Sequence, residues 1–581
     1  MGNAPDRSFG FAQDDKVANI PANIVSQELL DGAFHSAYPW KVPSGTRIIL
    51  VPHHLVAARE IASLMAATPK PSVVFLISPD HFTQGKTSLT TTDQGFTTPF
   101  GDVSNDPARV TDLLRDVPSL RNNPAPFAKE HGVTGLIPFI GRAWPGVPVV
   151  PIIVRIDAKE KDRTALADSI VRVLQDDPNA LLVSSIDFSH YLPAEVADFH
   201  DVLAQDVVAS LADLEADHVE IDSPGALGAT LKVARSLGLG NVTIHDHTNS
   251  LRLMNATIAQ ESTSHILASF APGDFRKQTS VSLLFMGDMM FDRTVADRIA
   301  QSKDPAYTFE KIRGQEDRFF WGQDLVVANL EGPVAARAAP EKSIDFAFSP
   351  KIPALLKSMG IDAVSQANNH SLDQGRAGTD ASRSSLQASG IAVFGDEVRD
   401  DATSSLTILE RRGQKIALLG FNTSDNLLDE KAALESIDAA HHEASRVVVF
   451  MHWGQEYSPK PIESQVERAH WFIDHGVDAV IGAHPHVMES VEVYHGHVIA
   501  YSLGNFIFDQ DWTAETQLGL TVGLVLNEKG SELHLFPIKI IQSQPELLTG
   551  DDRQKRLQVL ADISDPSLKE QILTGTIFVS H

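Results

Sequence analysis

The chain has 581 residues, 43% of them hydrophobic and 21% charged, too many for one ordinary core because a single core stops growing near roughly 250–300 residues. Its formal net charge of -27 argues against a nucleic-acid partner or an anionic membrane surface, since both require a surplus of Lys and Arg. With no cysteine, disulfides, zinc–thiolate sites, iron–sulfur clusters and thiol nucleophiles are excluded, so any metal site must use His, Asp, Glu or Asn.

Residues 1–35 show no clear hydrophobic period and read as an N-terminal tail. They lack the basic start and apolar run of a secretory leader, and no stretch reaches the ~18 uninterrupted apolar residues of a membrane span. The expectation is a cytoplasmic protein without a membrane span, unless a misassigned start codon hides an envelope signal.

From 36 to 272, short β-branched runs (TRIILVPHH, SVVFLISPDHF, VPVVPIIVRID, ALLVSSIDFSHY, NVTIHDHTNS) alternate with helical stretches such as DRTALADSIVRVLQ. This alternation predicts an α/β domain with a mostly parallel sheet. Polar residues end the strands: His53 and His54, His81, Asp187 and His190, His245 and His247, with Glu130 and His131 opening a helix-like run. VPHH, SPDHF, TTPFGDV, KEHGVTGLIPF, VPIIV and VSSIDFSHY resemble the Memo-like family, the B component of the so-called AmmeMemoRadiSam system, whose fold is similar to class III extradiol dioxygenases of the LigB type. The resemblance implies metal ligation by His53 and His81, with Asp187 and His190 counted in the metal set and His131 at another pocket position. The dioxygenase relatives hold iron with two His and one carboxylate. The family's third ligand is often a Cys, which this chain lacks, and Asn249 to Arg252 offers no replacement. Val133, Thr134 and Gly135 stand where a Glu usually follows the Glu-His pair. The simpler reading makes His54, His245 and His247 structural or solvent-facing and His131 a cap or hydrogen-bonder.

Residues 273–280, with Gly273 and several charges, read as a linker. The alternation restarts over 281–581 with SVSLLFMGDMM, DLVVANLEG, DAVSQANNH, KIALLGFNTSD, RVVVFMHWGQE, DAVIGAHPHV and HVIAYSLGNFIFD as strands, and PALLKSMG, TDASRSSLQASG and SQVERAHWFIDHG as helices ending at Gly. In parallel α/β sheets, functional groups gather where strands end. Here those ends carry Asp288, Asn329 and Glu331, Asn368 to His370, His452, His484 and His486, and Asn505 and Asp509. Such a set predicts one convergent site for Mn, Fe or Zn rather than Ca.

GDMMFDR, ANLEGP, ANNHSLDQG, MHWGQEY, IGAHPHV and YSLGNFIFD, in this order, resemble the CapA/PgsA family of poly-γ-glutamate capsule synthesis proteins, related in fold to calcineurin-like metallophosphatases. The resemblance implies Asp288 as the first ligand and Glu331 as a bridging carboxylate. It makes Asn369 a ligand, His370 a general acid, His452 a ligand, and His484 and His486 one ligand for each of two metals. Metallophosphatases usually begin with Asp-x-His, whereas Met290 holds the His position here. Two metals about 3.5–4 Å apart would favour in-line displacement near neutral pH, and Arg293 would hold a phosphate or carboxylate of a small-molecule or anionic polymer substrate. The plainer reading makes Arg293 a surface ion pair and Asn505 and Asp509 turn formers. Three functions remain open: a metal-dependent hydrolase, a non-catalytic module binding a polymer or protein through degenerate metal pockets, and iron-dependent oxidation in the first domain.

Overall fold

The buried β-branched runs form parallel strands and the amphipathic stretches between them form covering helices in the computed structural model, which describes residues 19–256, 261–313, 315–338, 344–395 and 405–580. Contacts divide the chain into two compact units. One holds Met1–Ile186, Gly225–His245 and Leu267–Gly273; the other holds Asp187–Pro224, Asp246–Ile266 and Asp274–His581. The architecture is α/β throughout, as the alternation predicts.

In the first unit, Ile48–Val51, Leu181–Ser185, Val74–Pro79 and Val149–Val154 lie side by side and parallel. Leu89–Thr91 and Leu120–Asn122 extend one edge. The four parallel strands are buried along their whole length, which is why they read as continuous apolar runs rather than alternating ones. Ile49, Leu76 and Val183 share a core with Ile61 and Leu64 of the helix Ala58–Ala67. The segment read as a tail contains a helix, Gln27–His35, capped by the Ser26 hydroxyl on the Leu29 N–H. Only Leu30 and Ala33 of this helix are buried, so its apolar period is too thin to stand out. Residues 1–18 lie outside the described residues.

The second unit is built on two sheets. In the first, Ala392–Phe394, Ala363–Ser365, Leu325–Leu330 and Val281–Met289 run parallel, and Leu518–Asn527, Gly530–Ile541 and Gln544–Leu547 continue antiparallel. In the second, Gln414–Asn422, Arg446–His452, Ala479–Ala483 and His497–Ala500 run parallel between two antiparallel edge strands. The sheets face each other: Phe285 and Val327 share a core with Phe450 and Ile481, and the rings of Phe285 and Phe450 are 6.1 Å apart. The helices Ile352–Ser358 and Gly375–Ala388 cover the outer face of the first sheet, and Glu430–Glu443 and Glu463–Asp474 that of the second. Three of these four helices stop at a glycine with positive φ (Gly360, Gly390, Gly476), a backbone state that a Cβ disfavours. Among the described residues no helix is long and apolar enough to cross a membrane.

Candidate metal centre

Strand register decides which side chains meet. In the first sheet of the second unit, Asp288 pairs with Asn329 across parallel strands at their C-terminal ends. In the second sheet, His452 pairs with Ala483, the residue before His484. Four chain segments therefore deliver polar groups to one end of the sandwich. Gly287 makes this possible: a Cβ there would collide with the Gly504 carbonyl oxygen. His484 and His486 both have left-handed backbones, with φ of 96° and 59°. Such conformations cost non-glycine residues about 1–3 kcal/mol and persist where surrounding structure enforces them. Both imidazoles are buried.

Two groups of potential ligands result. In the first, ligand atoms of Asp288, Glu331 and His486 lie within 4.8 Å of one another. The Nδ1 of His486 is 3.0 Å from Asn505 Oδ1 and 3.4 Å from Asp288 Oδ2, and its Nε2 is 3.8 Å from Glu331 Oε1. The Asn505 amide nitrogen donates to Gln510 and to the Thr516 carbonyl, so its oxygen is an acceptor and His486 carries a proton on Nδ1. In the second group, His452 Nε2 is 2.9 Å from Asn369 Oδ1 and 3.0 Å from His484 Nδ1. The sets are stitched together: Asn329 donates to Asp288 Oδ1 at 2.7 Å and contacts His452 Nδ1 at 3.3 Å, and the His484 N–H donates to Asp288 Oδ2 at 3.2 Å.

The electrostatics show a site short of positive charge. Burial pushes the Glu331 carboxyl well above its usual range, and Asp288 and Glu456 add to this against His486 and Arg293. Burial pulls His486 down, but Glu331 and Asp288 outweigh it and push it up to about 9. Both shifts mean that the cluster gathers protons. Burial, aided by neighbouring histidines, holds His484 down to about 4 and His452 well below the usual imidazole value, so both are neutral, as ligation requires. Both Glu331 carboxylate oxygens are buried and accept no hydrogen bond from the described residues. A buried, uncompensated carboxylate is costly, and a divalent cation among these oxygen and imidazole donors would relieve that cost. The residues fit such an ion.

Beside this cluster, His370 Nδ1 is 2.6 Å from Asp373 Oδ2 and its Nε2 is 3.9 Å from Glu331 Oε1. The Phe346 ring lies 4.2 Å from the imidazole. Arg293 begins the helix Arg293–Ser302, pairs with Asp509, and lays its guanidinium over Phe346 and Phe508 at 5.0 and 5.8 Å. Met290 is buried, and its sulfur accepts the Asp292 N–H. The sequence reading missed Asp373, whose only signal is its position three residues after His370, and the bridging part played by Asn329.

In the first unit, His53 and His81 meet His131: ligand atoms of all three lie within 4.8 Å of one another. His81 Nδ1 is 2.6 Å from the buried Glu130 carboxylate, and His53 Nδ1 is 3.1 Å from Ser185 Oγ. Burial opposes ionisation of Glu130, but His81 and the backbone N–H donors outweigh it and bring the carboxyl below its usual range. Asp187 and His190 belong to the second unit. There Asp187 is 3.4 Å from His265, and the His190 N–H donates to Glu220 at 2.9 Å. His245 contacts Ser269 at 2.8 Å and His247 contacts Asp201 at 2.7 Å, and His54 is half-buried.

Residues 282–510 match the family described as bacterial capsule synthesis protein PGA_cap, and residues 26–261 match the Memo-like protein family. The chain is similar to the PGA biosynthesis protein CapA of Bacillus subtilis (strain 168), with 31% identity over 315 residues, covering 51% of this chain and 81% of that one. It is 28% identical over 325 residues to the capsule biosynthesis protein CapA of Bacillus anthracis, covering 51% and 77%. A MEMO1 family protein of Pyrobaculum arsenaticum is 29% identical over 195 residues, covering 32% of this chain and 69% of its own length. The chain therefore belongs to the bacterial capsule synthesis PGA_cap family, whose segment it carries after a Memo-like one.

Proposed function

We propose that the second unit is a metal-dependent hydrolase of the phosphoesterase type, acting in poly-γ-glutamate or capsule metabolism on a small-molecule or anionic polymer substrate. The observation that carries this reading is the buried Glu331 carboxylate, without a hydrogen bond, between Asp288 and His486. Asp288, Glu331 and His486 would hold one divalent ion (Mn, Fe or Zn), and Asn369, His452 and His484 a second. Bound there, the ions supply Lewis-acid polarisation of a substrate oxygen. His370, held by Asp373, would give a proton to the leaving group. Arg293, steadied by Asp509 and two aromatic rings, offers a cation to an anionic substrate. We assign this unit's chemistry to a domain of residues 281–581 and the Memo-like part to 36–272.

The test is hydrolysis of an aryl phosphate by the full chain loaded with Mn, Fe or Zn, beside its Glu331→Gln variant. Turnover that disappears in the variant supports the reading. Metal bound without turnover favours a binding module instead. One observation supports that second reading: buried Met290 occupies the position where a further ligand would stand, and its sulfur is engaged by the Asp292 N–H.

A further inference from the structure

We propose that His131 completes a three-histidine site for a first-row divalent metal with His53 and His81 in the first unit, in a chain that has no cysteine to offer. This goes beyond the reading above, which concerns the second unit alone.

The argument begins with convergence. The ring centroids of His53, His81 and His131 are 4.9, 5.3 and 4.1 Å apart in pairs, and their ligand atoms lie within 4.8 Å of one another. Three imidazoles drawn from three chain segments repel one another once protonated, so a stable cluster needs neutral rings or a shared cation.

The surrounding bonds fix the rings in the form that ligation needs. Ser185 Oγ donates its proton to the Gly132 carbonyl at 2.7 Å. Toward His53 Nδ1, 3.1 Å away, the same oxygen can therefore only accept. His53 thus carries its proton on Nδ1 and presents a lone pair at Nε2. Glu130 acts on His81 in the same way: its carboxylate is buried, receives the His81 and Gly132 backbone N–H groups at 2.9 and 3.0 Å, and lies 2.6 Å from His81 Nδ1. An acceptor behind each of these two imidazoles is the outer-shell arrangement that orients metal-bound histidines.

The packing here leaves little slack. A Cβ on Gly132 would strike Ser78 Oγ and come within 3.3 Å of Glu130 Oε1 and 3.5 Å of His53 Nδ1. On the other side the site is open, because His131 is 45% exposed and the neighbouring Phe82 is exposed as well. Three protein ligands with an accessible side match a site that keeps a coordination position for a small molecule. An all-imidazole set without thiolate suits Fe, Co, Ni, Cu or Zn in the divalent state.

The experiment uses the full chain carrying His484→Ala and His486→Ala, titrated with cobalt(II) and followed by visible absorption and elemental analysis. One equivalent of cobalt with ligand-field bands is expected, lost on His53→Ala. Glu130→Gln is expected to weaken binding by about 10–100-fold, and His131→Ala by at least as much. Undiminished affinity in a folded His131→Ala variant overturns the assignment. Should that variant not fold, His131→Cys decides: in a chain otherwise without cysteine, a sulfur-to-cobalt charge-transfer band supports the site and its absence at full cobalt loading refutes it.

Discussion

His484 Nδ1 lies 3.0 Å from His452 Nε2. Two ring nitrogens at that distance cannot both carry protons, and burial already holds both imidazoles below their usual range. The pair is therefore two lone-pair nitrogens sharing at most one proton, with the Asn369 carbonyl oxygen 2.9 Å away. On the proposed reading, that combination is the donor set a second cation would meet.

Metal should stabilise the protein through this cluster. At a free Mn or Zn concentration 100 times the dissociation constant, linkage gives about 2.7 kcal/mol, or a rise in melting temperature of roughly 5 °C. In Glu331→Gln the part of the rise due to the ion held with Asp288 and His486 should be lost, while the metal-free variant melts no lower than the metal-free parent because a buried carboxyl without a hydrogen bond has been removed. Thermal melts with and without chelator check both arms.

His370 and Asp373 separate binding from proton transfer. His370→Asn should leave metal content unchanged and lower kcat toward an aryl phosphate by about 10²–10⁴-fold. Asp373→Asn, which removes only the orienting carboxylate at 2.6 Å, should lower it less. Elemental analysis beside steady-state kinetics distinguishes the two effects.

Glu489 sets a pH dependence of stability. It is buried, accepts one hydrogen bond from Gln465 at 2.8 Å, and burial pushes its pKa from 4.5 up to about 8. The folded state thus holds a proton that the unfolded chain releases near pH 4.5. Its contribution is full below pH 4.5, shrinks as pH rises, and is exhausted beyond pH 8. Glu489→Gln should flatten this fall and leave the variant more stable than the parent at pH 9, by up to a few kcal/mol at about 1.4 kcal/mol per pH unit. Denaturant melts between pH 5 and 9 provide the comparison.

Gly287→Ala should disturb the centre without touching a ligand. The added methyl meets the Gly504 carbonyl oxygen, and overpacking of this kind costs about 1–3 kcal/mol. A lower melting temperature together with weakened metal binding is expected, since Asp288 follows directly. Unfolding curves and metal titration measure the two losses.

The sequence made the strand ends legible because buried strands are short apolar runs whose first polar residue is conspicuous. Asp288, Glu331, His452 and His484 all stand out this way, and the stops at Gly360, Gly390 and Gly476 mark their helices equally well. What joins the ends was not legible. Asn329 contacts Asp288 and His452, which lie 41 and 123 residues away, and no local pattern encodes such partners. Asp373 sits in an irregular turn after His370, where neither strand nor helix period applies. The helix Gln27–His35 escaped notice because two buried side chains in nine residues barely exceed background. His131 read as a helix opener and, by the resemblance, as a pocket position; the fold brings its ring within ligand reach of His53 and His81.

Asp288 and Glu331 come from one sheet of the second unit, and His452 and His484 from the other. The centre is thus a seam rather than a patch. On the proposed reading, neither sheet alone carries the full donor set, so an ion would be gripped only once the two halves have docked.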